Sequence, residues 1–264
     1  MTGQPSSVRR DSLLGTLDHA LRGGFWSREA MAGGRVDVPV RRLLALALLL
    51  AAGYGVCLGA YGLFRSADGA WLQAVAGAGK VPLLFVLTLV VTFPSLYVFS
   101  ALQRLPIGFT SMLRLMLLAV LVHVAVAASL GPVFAFFAAS TDSYSFLLLL
   151  NVAFFAIGGV LGYAVLRRAA EALHPNAPPA SPAATDAAVA QSAANRSPIH
   201  ASANGRARRA LGVWYVVYAV VGAQVSWLLR PFVGAPGEPF ALFREREGSW
   251  LTGVLDNIAA LFRG

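Results

Sequence analysis

The sequence predicts an all-α protein, a polytopic transmembrane helix bundle of about five spans with a disordered cytoplasmic linker and amphipathic terminal helices. Three observations predict it. Five apolar stretches, Leu43–Phe64, Val81–Leu102, Leu115–Phe137, Phe146–Leu166 and Ala210–Leu229, each run for about twenty residues. At ~1.5 Å per residue, a helix of that length crosses the ~30 Å hydrocarbon core of a bilayer. Composition agrees, with 57% hydrophobic and 12% charged residues and a mean hydropathy of +0.66. None of the five stretches contains Asp or Glu, as expected where lipid replaces water as solvent.

The order of elements follows from these runs. Residues 1–42 form an N-terminal tail in which the segment from Asp11 to Arg22 reads as a short helix, capped by Asp11 or Ser12 and stopped at Gly23-Gly24. Leu13, Leu14, Leu17 and Leu21 share one face, and Phe25 and Trp26 follow. This helix either lies on the cytoplasmic leaflet, with Arg9 and Arg10 drawn to anionic lipid, or packs on the bundle. The first run begins only at Leu43 and is too long for a signal-peptide core, so it is expected to act as an uncleaved signal anchor.

Residues 43–166 make a four-span membrane domain. Residues 167–209 follow as a linker, in which five prolines and many alanines between His174 and Arg208 offer no side chains to build a core. Residues 210–230 supply a fifth span. Residues 231–264 form a terminal segment, proline- and glycine-rich from Arg230 to Phe240. It closes in a helix capped by Ser249, with Trp250, Leu251, Val254, Leu255, Ile258, Leu261 and Phe262 on one face. That face requires an apolar partner: the outer leaflet, the bundle or a neighbouring subunit.

Charge sets the expected orientation. The net charge of +9 clusters beside alternate span ends, which argues for a membrane surface and against a nucleic-acid partner. With the N-terminus in the cytoplasm, fifteen basic residues fall inside: seven before Leu43, then Arg104 and Arg114, then six from Arg167 to Arg209. Six fall outside: Arg65, Lys80, Arg230, Arg244, Arg246 and Arg263. The positive-inside bias therefore predicts N-terminus in and C-terminus out. Twenty of the 21 basic residues are Arg, a usage compatible with a GC-rich bacterial genome and with the bacterial inner membrane. The lone Cys57 excludes an intrachain disulfide.

The residues able to carry chemistry are few. Proton-coupled carriers and intramembrane aspartyl proteases need carboxylates at membrane depth, and the spans offer none. His123 is the one ionisable group near mid-membrane, a proton relay or metal ligand in one reading and a neutral hydrogen-bonded side chain in the other. Thr88, Thr92 and Ser95 form a polar stripe on span two beside Pro94, which frees the Val90 carbonyl. They either line a kinked water path or bond back to their own helix. Gly55/Gly59 and Gly158/Gly162 are small-xxx-small patches for close helix approach, within the chain or between copies. Asn151 and Gln224 are expected to hydrogen-bond between helices, to backbone or to each other.

The densest patch is Gln224, Trp227, Arg230, Pro231 and Phe232, where an interfacial ring and a snorkelling cation precede a helix-ending proline. Its pattern, Q-x-S-W-x-L-R-P-F, resembles one found in uncharacterised bacterial polytopic membrane proteins. That likeness covers about twenty residues and implies no activity. The expected topology is also similar to that of Yip1-type membrane proteins, at the level of fold alone.

These features imply a non-enzymatic membrane anchor or scaffold, with the lipid bilayer and protein partners or self-association as its contacts and with no metal or other cofactor. The alternative is a small channel or permease with a path along spans two and three.

Overall fold

Lys80, placed by its charge in an external loop, lies instead inside a long helix with only 4% of its surface exposed. The computed structural model that establishes this describes residues 12–25, 39–64, 70–102, 109–172, 198–233, 242 and 248–263. Seven α-helices and no strands occur among them: α1 (Leu13–Leu21), α2 (Val40–Phe64), α3 (Ala70–Leu102), α4 (Phe109–Ser140), α5 (Tyr144–Ala172), α6 (Pro198–Leu228) and α7 (Trp250–Arg263).

Four segments, Val40–Phe64, Trp71–Val98, Phe109–Ser140 and Tyr144–Ala169, are long and apolar enough to cross a membrane. The apolar part of α6, Gly212–Leu228, sits at the short end of the ~17–25 residues such helices use, so about five spans fit the bundle.

Most helices start earlier than their apolar runs. A run ends at the first polar residue, whereas a helix ends only where its backbone finds another partner. Thus α3 begins at Ala70 rather than Val81 and carries Gln73, Lys80 and Pro82. The expected linker also narrows, since residues 167–172 complete α5 and residues 198–209 open α6. Its remainder, 173–197, lies outside the described residues, as do Arg9, Arg10, Trp26 and 234–240.

The N-terminal helix matches its signals. The Ser12 hydroxyl caps α1 by accepting from the Gly15 amide at 2.9 Å, and Gly23 ends it at φ 86°, a backbone region that glycine enters without a side-chain clash. Thr16 and Ala20 are buried against the bundle, while Leu14 remains 77% exposed. α1 thus packs on α2 and α4, as one of the two sequence readings has it, and presents Leu13, Leu14 and Leu21 outward.

The order of neighbours decides where space is left. α2 packs along both α3 and α4; α5 leans on α4 and α6 leans on α3. α4 is buried all round from Leu115 to Val124, the pattern of a central helix. α5 and α6 touch each other only sparingly, and α7 docks across the pair.

Glycines permit two close approaches between long helices. A Cβ at Gly55 would lie 2.1 Å from the Gly77 carbonyl oxygen, and one at Gly59 2.4 Å from the Ala74 Cα. On the other side, a Cβ at Gly158 would lie 2.6 Å from His123 Cδ2 and one at Gly162 2.8 Å from the Ala119 carbonyl oxygen. Both small-residue patches thus face helices of the same chain.

Candidate functional site

Two polar constructions stand out within this bundle. The first is a clamp near the start of α3. Gln73, Gly77, Lys80, Leu84 and Thr88 recur at helical spacing and share the buried face of α3. Gln73 Nε2 donates to the Pro231 and Phe232 carbonyls at 3.0 and 2.9 Å. Lys80 Nζ donates to the Pro231 carbonyl at 3.0 Å and also to that of Leu242. Backbone carbonyls of the segment after α6 thereby replace the water that a buried ammonium would otherwise need.

The patch expected from Gln224 to Phe232 belongs to this region. Pro231 and Phe232 are buried, the latter with 7% of its surface exposed, and the Arg230–Pro231 peptide is cis. Arg230 lies over the Trp227 ring, its Cζ 4.1 Å from the centroid, a cation–π geometry. Gln224 Oε1 accepts from the Trp250 amide at 3.2 Å. A Cβ at Gly253 would lie 2.0 Å from the Trp227 ring, so glycine there lets α7 lie flat on the indole.

α7 consequently docks through Trp250, Gly253, Val254 and Asn257. Leu251, Leu255, Ile258 and Phe262 remain exposed, so the expected single apolar face divides between bundle and exterior. The capping contact at its start is the Thr252 hydroxyl, which accepts from the Ser249 amide at 3.0 Å.

The second construction is a cavity of about 400 Å³ between α3, α4, α5 and α6, flanked by α7. Thr88 and His123 both line it, as do Asn151, Tyr215, Trp227 and Arg230. The His123 ring stands edge-on to Phe85 and Phe155, with centroids 5.0 and 5.6 Å away, and 9% of the residue is exposed. His123 Nε2 and Trp227 Nε1 are buried without a hydrogen-bond partner. Each such orphan costs about 1–3 kcal/mol unless a group in the cavity bonds to it.

The predicted polar stripe splits. Thr88 donates its hydroxyl to the Leu84 carbonyl, Thr92 to that of Thr88 and Ser95 to that of Thr92, all at 2.7 Å. The hydroxyls bond back to their own helix, as one of the two sequence readings has it. Thr88 reaches the cavity wall, whereas Thr92 lies under Trp214, whose indole donates to the Thr92 carbonyl at 3.1 Å. Pro94 is exposed on the opposite face. Asn151 and Gln224 do not meet, since Asn151 Oδ1 accepts from the Tyr54 hydroxyl at 2.8 Å.

Sequence reasoning missed Gln73 and Lys80. The available signal was the single Lys among 21 basic residues, eight positions before Thr88 on what proves to be one helix.

Comparison with known proteins adds nothing to this geometry: no family model, curated protein or solved structure matches the chain.

Proposed function

We propose that this chain is a non-enzymatic membrane anchor or scaffold of the bacterial inner membrane, N-terminus cytoplasmic and C-terminus outside, that holds partner proteins at its outer segment. The observation that carries this reading is the clamp. Burying an ammonium is expensive, and Lys80 directs its donors at the Pro231 and Leu242 carbonyls of the terminal segment. Gln73 adds two donors to the same turn. These buried polar contacts of α3 thus go to orienting the chain that leaves the bundle, as a platform requires. The exposed apolar stripe of α7 supplies such a platform with a contact surface for lipid or protein.

A second reading, a small channel or permease along α3 and α4, draws on the cavity that Thr88 and His123 share. Purified protein in liposomes, scored for solute flux alongside co-purification of partners from native membranes, separates the two. The anchor reading expects no flux, and partners lost with Lys80→Met but retained with Thr88→Val plus Thr92→Val. Flux abolished by the double valine change would overturn it.

A further inference from the structure

The cavity has a direction. Among its lining residues, Val152 and Val160 on α5 are 41% and 66% exposed, and Ala156 on α5 and Ala219 on α6 are also exposed. All lie within the apolar parts of α5 and α6, so the mouth opens sideways, at the depth of lipid chains rather than of water. Its position follows from the fold: α5 packs on α4 and α6 on α3, and the two touch only sparingly, one contact being the Tyr215 hydroxyl that donates to the Gly159 carbonyl.

The wall is apolar with a few polar groups set into it, the composition of small-molecule sites, and its volume of about 400 Å³ lies within the ~300–1,000 Å³ such sites enclose. Those polar groups define what is missing. An indole N–H can only donate, so Trp227 Nε1 lacks an acceptor. His123 Nε2 is likewise buried without a partner, and in its Nε2–H tautomer it too needs an acceptor. Arg230, over the Trp227 ring, lies at the same wall.

We propose that this cavity is a lateral binding site for a single-chain lipid whose head carries acceptor oxygens, of the class of long-chain carboxylic acids and their esters. The chain enters between α5 and α6, the head oxygens accept from the buried nitrogens, and the tail lies along Phe155 and Val160. This goes beyond the anchor reading; the two share Trp227, against which α7 docks, but the cavity draws on neither Lys80 nor Gln73.

The test is photolabelling of the full-length protein in liposomes with a diazirine-bearing long-chain fatty acid, with crosslinks located by mass spectrometry. Labels are expected on the peptides spanning Val152–Val160 and Tyr215–Trp227. Unlabelled fatty acid and its methyl ester should compete, and the corresponding alkane should not. His123→Leu and Trp227→Phe should each weaken labelling about three- to tenfold, the effect of one lost hydrogen bond. Ala156→Leu with Ala219→Leu, which fills the mouth without touching the core, should abolish it, and so decides the matter if the His123 variant fails to fold. Labels spread evenly over all lipid-facing helices would overturn the proposal. So would an alkane competing as well as the acid, which means a void open to any chain. Labelling insensitive to both nitrogen replacements would likewise overturn it, since water then satisfies those groups.

Discussion

Lys80 Nζ lies 3.0 Å from the carbonyl oxygen of Pro231, a residue 151 positions later in the chain. This bond ties the second long helix to the turn that ends α6, and the ammonium also reaches Leu242. Breaking it tests the clamp. Lys80→Met keeps the stem and removes two bonds from a charged donor, leaving Pro231 its bond from Gln73, at an expected cost of about 1–3 kcal/mol. The expected readout is a lower Tm in detergent and faster external proteolysis between Pro231 and Ser249. Unchanged proteolysis would mean that the Lys80 bonds do not hold the segment.

The glycine contacts predict a graded series. Gly55→Ala and Gly158→Ala place a Cβ 2.1 and 2.6 Å from existing atoms, so the helix pairs must separate, at an expected cost of about 1–3 kcal/mol each. Gly53→Ala, where a Cβ meets nothing within 4 Å, should leave stability unchanged or slightly raised. Thermal unfolding of the three variants, compared in one detergent, checks the ordering. A Gly55 variant as stable as that of Gly53 would show that α2 and α3 do not approach as described.

The back-bonded hydroxyls predict tolerance. Thr88→Val with Thr92→Val removes bonds that stay within one helix, with an expected loss of no more than ~0.6 kcal/mol per site. Trp214→Phe removes a bond between helices, from the indole to the Thr92 carbonyl, and leaves a gap at a residue 2% exposed. Its Tm should fall further than that of the double valine variant. The reverse order would place the Thr hydroxyls in a network with other helices.

The charge asymmetry predicts topology. Reporter fusions at the N-terminus and at Ala190 should give cytoplasmic signals, and a fusion after Gly264 an exported one. Moving Lys80 from loop to helix interior removes one charge from the outer side of the tally, which strengthens the asymmetry. A cytoplasmic signal at Gly264 would mean that α6 does not cross.

What the sequence alone determined was whatever depends on one segment at a time. Apolar runs specify spans because every backbone group in lipid must be satisfied within its own helix, so length and hydropathy suffice. The cap at Asp11 or Ser12, the Gly23 stop, the terminal amphipathic helix and back-bonding as one of two readings of Thr88 and Thr92 are legible for the same reason: each contact is local in sequence. Tertiary structure alone decided which groups meet across the chain. Lys80 looked like a loop cation because no local pattern states that the Pro231 and Leu242 carbonyls lie beside it. Gly55 and Gly158 were marked as close-approach sites, but their partners Gly77 and His123 follow only from helix order. The cavity is the extreme case. It exists because α5 and α6 pack on different neighbours and touch each other only sparingly, a property of the bundle that no single stretch of residues encodes.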